Sequence, residues 1–211
     1  MSYYSIINEK ETKLNIKRSE FITNIKKVKN EEAAKNYIKK ISEKYKNATH
    51  NCWAYYVIEE IEKYNYSDNG EPSGTAGKPI FGQIEKYNLK NVAIVVTRYY
   101  GGIKLGVRGL IDAYSSSAEN SIKNCDIVEM NNSIKLICET DYSKFNEIEK
   151  LLKREKGWKI TEKNFTDKVE FQINIIENKS EEIINILKEK TNKIHENGFV
   201  EIALKMGDKN E

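Results

Sequence analysis

One stretch of sequence decides the fold of the N-terminal half: Val95-Val96-Thr97-Arg98-Tyr99-Tyr100-Gly101-Gly102-Ile103-Lys104-Leu105-Gly106-Val107-Arg108-Gly109. The β-branched residues at 92–96 predict a buried strand, which Gly101-Gly102 ends. After Leu105 the apolar residues recur at helical spacing, with a predicted buried stripe of Val107, Leu110, Ile111, Tyr114, Ala118 and Ile122. The stretch therefore predicts a strand, a glycine turn and a helix, and the backbone N–H groups of such a turn can hold an anion.

A second glycine-rich stretch, Ser67–Pro79, has similar chemistry. Asp68-Asn69-Gly70 indicates a turn, and Pro79 suits the first turn of a short helix that runs to Tyr87. The stretch is not a Walker A loop, because Pro79 follows Lys78 where that motif requires Ser or Thr. Since the two stretches hold most of the 11 glycines and both prolines, we expect them to meet in space and form a single site.

The candidate binding residues are the polar, aromatic and glycine residues of these two stretches. They are Asp68, Asn69, Gly70, Glu71, Ser73, Gly74, Thr75, Gly77, Lys78, Arg98, Tyr99, Tyr100, Gly101, Gly102, Lys104 and Arg108. We expect Arg98 to pair with an acidic residue of the first stretch or to line the shared face. Lys104, Arg108 and Asp112 lie four apart, which predicts one exposed helix face. A tight strand-to-helix connection with solvated charges is the alternative that requires no ligand.

Either member of the Tyr99-Tyr100 pair could be exposed beside Arg98. An exposed ring there could stack on a base or on an arginine, or it could simply pack over the glycines.

His50 and Cys52 are possible secondary site residues, because they are two apart at a predicted strand start and can point to one face. With Asp68 they could form a Cys-His-Asp nucleophile. We favour a core cysteine and a loop-edge histidine instead, since neighbours in one strand align poorly as nucleophile and base. There is no CxxC pair and the two histidines are far apart in sequence, so we expect no metal site. We also expect no catalytic residue and no cofactor.

The remaining sequence predicts an α+β fold with domains at 1–131 and 132–211. A complete pattern restarts at Ser133, after Asn131-Asn132, with the element order βαββαβ of a ferredoxin-like domain. Strict alternation of apolar and polar residues from Val169 to Ile175 predicts a sheet with one exposed face.

Composition restricts the class of protein. No run of 18 apolar residues occurs, so we expect no membrane partner. No secretory signal is visible and the three cysteines are widely spaced, so we expect a cytoplasmic protein with reduced thiols. The net charge is +3, and the basic excess lies in residues 1–131, with 20 Lys and Arg against 16 Asp and Glu. Such a charge does not by itself establish a nucleic-acid partner, and composition does not predict the oligomeric state.

Four segments resemble the YigZ/IMPACT family: Lys17–Ile22, Ala48–Tyr55, Asp68–Pro79 and Val95–Gly109, the last with the block Arg98-Tyr99-Tyr100-Gly101-Gly102-x-x-Leu105-Gly106. The resemblance implies an IMPACT-type N-terminal domain similar to the second domain of ribosomal small-subunit protein five and to domain IV of elongation factor G. It implies a C-terminal domain similar to domain V of that factor.

The resemblance also implies a function. Eukaryotic relatives bind the ribosome-associated activator of a starvation-responsive kinase, so we expect a non-catalytic binding protein that regulates translation through RNA, the ribosome or a translation-associated protein. The alternative is an enzyme acting on a small anionic or phosphorylated substrate at the glycine-rich loops. A deep cleft converging on His50, Asp68 and Arg98 would favour the enzyme, and an open basic face would favour binding.

Overall fold

The structure, a computed structural model, describes residues 2–153, 155 and 157–205. The chain is a mixed α and β protein, as predicted, and it divides into two compact units. Residues 3–128 form the first unit, and the described residues from Glu129 onward, together with Ser2, form the second. No helix in the described part of the chain has the length and apolar character needed to cross a bilayer.

Residues 2–126 form six strands and three helices. They are β1 (Ser2–Ile6), β2 (Lys10–Ile16), β3 (Ser19–Lys27), α1 (Glu31–Lys44), β4 (His50–Ile58), β5 (Glu62–Ser67), α2 (Gly77–Lys86), β6 (Val92–Tyr99) and α3 (Gly106–Lys123). Five of the strands form an antiparallel sheet in the order β2-β3-β6-β4-β5. In the sequence, Asn30 followed by Glu31 and Glu32 predicts a helix start. Asn30 does cap α1, because its side chain accepts a hydrogen bond from the Ala33 N–H at 2.8 Å.

The first sheet is buried on both faces, which explains the continuous apolar run of β6. Val92, Ile94 and Val96 pack in one cluster with residues of α2 and α3. Ala93 and Val95, which point to the opposite face, pack in another cluster with residues of α1.

The antiparallel registers bring both glycine-rich stretches to one end of this sheet. Tyr99 at the end of β6 pairs with Glu20 near the start of β3, and Arg98 pairs with His50 at the start of β4. Ser67, the last residue of β5, pairs with Trp53 close to the same end. Because α2 and α3 follow β5 and β6, both helices begin there, and this end of the sheet carries the site.

The second unit has the predicted element order βαββαβ. Its elements are β7 (Ile127–Thr140), α4 (Tyr142–Leu152), β8 (Trp158–Phe165), β9 (Val169–Ile176), a 3-10 turn (Glu177–Lys179), α5 (Ser180–Lys190) and β10 (Lys193–Lys205). β7 pairs with β9 and β10, and β9 pairs with β8. Phe171 and Ile173 of β9 are buried with Cys138 in this unit's own core. The likeness to a ferredoxin-like domain stays a prediction.

Two details differ from the sequence-based expectation. Asn131-Asn132, predicted to separate two strands, lies inside the single long strand β7, and the domain bounds 1–131 and 132–211 stay a prediction. The sequence also predicts a helix from Tyr142 to Arg154; the observed helix ends at Leu152, and Arg154 itself lies outside the described residues.

Candidate functional site

Asp68 organises the first glycine-rich loop. Its carboxylate accepts three backbone N–H hydrogen bonds, from Gly74 at 2.8 Å and from Ala76 and Gly77 at 2.9 Å each. Partial burial would raise the pKa of Asp68, but these three hydrogen bonds outweigh it and hold the pKa below its usual value. The anion position at the start of α2 is therefore filled by the chain's own carboxylate, so Asp68 and these N–H groups shape the loop.

A buried ion pair joins the two stretches, as expected. Arg98 Nη1 lies 2.6 Å from Glu71 Oε1, and the two side chains are only 6% and 4% exposed. The hydroxyl of Tyr114 in α3 donates to the same Glu71 oxygen at 2.9 Å. The expectation that Arg98 also serves as a binding cation is corrected by this burial, because a ligand would first have to displace Glu71.

Tyr100 covers the buried guanidinium from the solvent side. The Arg98 guanidinium carbon lies 5.4 Å from the Tyr100 ring centroid and 5.5 Å from that of Phe21. Arg98 Nη2 donates to Ser19 Oγ at 3.3 Å, and Nε has no hydrogen-bond partner among the described residues. Tyr100 is 44% exposed, so its outer face is open. Tyr99 is half-buried at the end of β6.

His50 and Cys52 do not form a nucleophilic site with Asp68. His50 Nδ1 donates to the Asn69 carbonyl at 2.8 Å, and Nε2 lies 3.9 Å from a carboxylate oxygen of Glu71. The Cys52 thiol is fully buried and donates to the Asp68 carbonyl at 2.9 Å. Burial raises the pKa of Cys52 to about 12, which keeps the thiol protonated and unreactive.

Two glycines of the site are required by close backbone contact. A Cβ at Gly101 would lie 1.9 Å from the Arg18 carbonyl oxygen, and one at Gly77 would lie 2.7 Å from the backbone of Ser67. The contact at Gly101 places the β2–β3 turn, Lys17-Arg18, beside the second glycine stretch. Sequence reasoning did not include this turn in the site, although both its residues have positive φ and Arg18 is exposed.

Other glycines are needed for the turns themselves. Gly102 has φ +86° and Gly106 has φ +73°, and a Cβ added at either position would meet no atom within 4 Å, so the backbone there is open. In the first stretch Asn69, Gly70 and Ser73 are exposed, whereas Thr75 is buried and donates to the Pro72 carbonyl at 2.6 Å.

Lys78, Lys104 and Arg108 are the exposed cations of the site. All three are exposed, and within the described residues none of them makes an ion pair. Lys104 was predicted to share a helix face with Arg108. It does not, because α3 begins only at Gly106 and Lys104 lies in the preceding loop. The three side chains are therefore available for an external anion.

Apolar side chains are exposed beside these cations. Val107 is 62% exposed, and Ile103 and Ile111 are also exposed, although Val107 and Ile111 were predicted in the buried stripe of the helix. The buried face of α3 instead runs through Leu110, Ala113, Tyr114, Ser117 and Ala118. Neighbouring cations and exposed apolar groups are typical of a surface that meets a macromolecule.

No metal centre is found at this site in the described part of the chain. No group of three His, Cys, Asp or Glu side chains within the described residues is arranged to hold a metal ion. A cavity of about 640 Å³ does exist, but it lies between the end of β3 and α1 and is lined by Lys26, Val28, Tyr37 and Lys40 among others.

Comparison with known proteins assigns the chain to a family. The model of the Impact N-terminal domain matches residues 17–122, and that of a domain of unknown function, DUF1949, matches residues 138–192. The IMPACT family member YvyE of Bacillus subtilis is 36% identical over 191 residues, which are 90% of this chain and 88% of that protein. The chain belongs to the IMPACT family.

Other members of the IMPACT family match less of the chain. YigZ of Escherichia coli is 32% identical over 65% of this chain and 68% of its own length, and rabbit Protein IMPACT is 36% identical over 43% of this chain and 29% of its own. A crystal structure described as a hypothetical protein superimposes with a TM-score of 0.60 and 26% identity, over 97% of this chain and 98% of that one.

Proposed function

We propose that this member of the IMPACT family is a non-catalytic binding protein that docks on ribosomal RNA and regulates translation in the cytoplasm. The docking surface is the glycine-loop face, formed by Lys78, Tyr100, Lys104, Val107 and Arg108. The observation that carries the proposal is the set of three exposed cations, without ion pairs among the described residues, beside open glycine backbone. Phosphate groups are the ligands that such cations and backbone N–H groups recognise together.

The internal contacts of the site favour binding over catalysis. The groups that an enzyme would need are engaged inside the protein: Asp68 with backbone N–H groups, Arg98 with Glu71, and Cys52 as a buried thiol. What faces the solvent is a set of cations, an aromatic ring and aliphatic side chains. Among the described residues, the enzyme alternative therefore has no set of converging reactive groups on this face.

Unpaired RNA fits the exposed apolar groups as well as the charges. Single-stranded nucleotides offer apolar base faces together with phosphates, and proteins recognise them by stacking on aromatic rings and by cationic contacts. Tyr100 presents an exposed ring, and Lys104 and Val107, which follow it closely in the sequence, are exposed as well. The likeness of the N-terminal unit to ribosomal and elongation-factor domains, predicted from the sequence, agrees with such a partner.

The proposal is tested by co-sedimentation of the full chain with purified ribosomes and with protein-free ribosomal RNA across a salt series. Three phosphate contacts predict a log–log slope of about −2 for single-stranded sites. The double substitution Lys104→Ala/Arg108→Ala should flatten the slope by roughly 1 to 1.5, with Lys150→Ala, an exposed lysine of α4, as the matched control. Arg98 is left intact, because its removal would disturb the buried network.

Three results would overturn the proposal. They are absence of binding at about 50 mM salt, an unchanged slope in the double variant, and binding to ribosomes but not to their RNA. The last result would assign the face to a protein partner.

A further inference from the structure

A cluster of aromatic rings lies on β5 and α2, outside the surface described so far. Tyr64 and Tyr66 of the edge strand β5 are 58% and 39% exposed. Their ring centroids lie 4.8 and 5.7 Å from that of Phe81, which is buried beneath them in α2. Aromatic rings that stay exposed together on an edge strand form an apolar surface patch. Such a patch is typical of a surface that binds a ligand.

The rings of Tyr64 and Phe81 are stacked, and a further planar group can add to such a stack. The planes of Tyr64 and Phe81 differ by only 22°, so these two rings are stacked; the Tyr56 ring centroid lies 5.8 Å from that of Tyr64 as well, yet Tyr64 is still 58% exposed. Tyr64 and Tyr66 are two residues apart and both contact Phe81, so they lie on one side of the strand, separated by about 7 Å. This separation lets two successive splayed bases each use one ring.

The cluster is continuous with the glycine-loop face. β5 ends at Ser67, directly before the loop that Asp68 organises, so Tyr66 lies next to that loop in the strand. Lys78 is three residues before Phe81 in α2 and therefore lies on the same side of the helix. Its side chain is exposed and makes no ion pair among the described residues, so it is available to a phosphate of a bound strand.

The acidic residue of β5 is engaged by side chains of the protein itself. The carboxylate of Glu62, two residues before Tyr64, pairs with Lys90 at 3.1 Å and also accepts a hydrogen bond from Tyr56. Its charge is thus compensated locally.

We infer that Tyr64 and Tyr66 form a base-stacking platform for single-stranded RNA, extending the path of the strand from the glycine-loop face along β5. The inference rests on the proposed function, since it names the form of RNA that this protein selects. Stacking uses the π-face that every base has, so the platform selects unpaired nucleotides with little preference for sequence. A duplex, whose bases are covered by their neighbours, gains nothing from it.

The test measures binding of the full chain to two fluorescent probes, an oligouridine of about 15 nucleotides and a fully paired RNA hairpin with a similar number of phosphates. Tyr64→Ala/Tyr66→Ala should weaken oligouridine binding by about tenfold or more and leave hairpin binding unchanged. Tyr64→Phe/Tyr66→Phe, which keeps the rings, should retain oligouridine binding. Tyr142→Ala, which removes an exposed ring of the second unit, is the matched control.

The fold of each variant is checked by circular dichroism. Should the double alanine variant fail to fold, ultraviolet cross-linking of wild-type protein to oligouridine decides instead, and the cross-linked peptide should contain Tyr64 or Tyr66.

The outcomes separate this inference from the proposed function. If both probes bind with a steep salt dependence but the alanine variant binds oligouridine like wild type, or the cross-link lies elsewhere, the platform is refuted and the proposed function stands. If neither probe binds at low salt, both are refuted.

Discussion

Burial of a charged side chain carries a large desolvation cost. Glu71 and Arg98 are almost fully buried, and each is acceptable there only because the other, together with Tyr114 and Ser19, satisfies it. A pair of this kind adds little net stability compared with apolar residues of the same volume, but the loss of one partner leaves an uncompensated buried charge.

The Glu71–Arg98 pair predicts strong coupling between substitutions. Glu71→Gln and Arg98→Met should each lower the free energy of unfolding by about 3–5 kcal/mol, and the double variant should lose far less than their sum. Tyr114→Phe, which removes one hydrogen bond, should cost only about 1 kcal/mol or slightly more. Urea denaturation of wild type and these variants measures the coupling, and simple additivity would show that the pair is not formed.

Asp68 predicts a pH-dependent contribution to stability. Because its folded pKa is lowered, the contribution is complete above the unfolded value of about 3.9 and is lost as the pH falls through the folded value. Asp68→Asn should therefore cost about 1–2 kcal/mol at pH 7, and the difference from wild type should shrink below about pH 4. Thermal melts at pH 7, 5, 4 and 3 test this, with Asp112→Asn, an exposed aspartate without an ion pair among the described residues, as the control.

At the scale of elements, the sequence predicted helices and strands correctly where residues close together in the chain determine them. The Asn30 cap, the strand–turn–helix at 92–123 and the alternation of β9 were all predicted, because capping and periodicity are properties of neighbours in sequence. Both β1 and the continuity of β7 through Asn131 were missed, since strand pairing is decided by partners that are distant in the chain.

The site was predicted in part for the same reason. Glycine spacing indicated where the loops bend, and the approach of the two stretches followed from their matching chemistry. The burial of Arg98 was not predicted, because it depends on Glu71 and Phe21, which lie on other elements and which pair with and cover a cation that sequence alone presents as a surface group. Likewise, the position of Arg18 beside the site arises from a close contact between two turns.

Two glycines of α2 form a matched pair for testing the close contact at the helix start. A Cβ at Gly77 would lie 2.7 Å from the Ser67 backbone, whereas one at Gly82, inside the same helix, meets nothing within 4 Å. Gly77→Ala should therefore separate α2 from β5 and destabilise the protein by about 2 kcal/mol or more. Gly82→Ala should stabilise it by about 0.5–1 kcal/mol through its higher helix propensity. Equal effects of the two substitutions on the melting temperature would contradict this.

At the scale of the whole molecule, each unit has a hydrophobic core of its own. The first unit has two clusters, one on each face of its sheet, and the second unit has one cluster around Phe171 and Leu187. A unit with its own core can unfold without its neighbour. The basic excess of the sequence lies in the first unit, which also carries the site, so the two halves of the chain differ in charge as well as in structure.

Because each unit contains one buried cysteine, chemical labelling can follow the opening of the two cores separately. Cys52 in the first unit and Cys138 in the second are both fully inaccessible, and burial raises the pKa of each thiol to about 12, so an alkylating reagent reacts only during an opening of the surrounding core. Pulsed alkylation of the unmodified protein, read by mass spectrometry, should therefore label partly exposed Cys125 first. Cys52 and Cys138 should be labelled later, and their two labelling rates should depend differently on the urea concentration. A single shared labelling rate for the two would mean that the cores open together, as one cooperative unit.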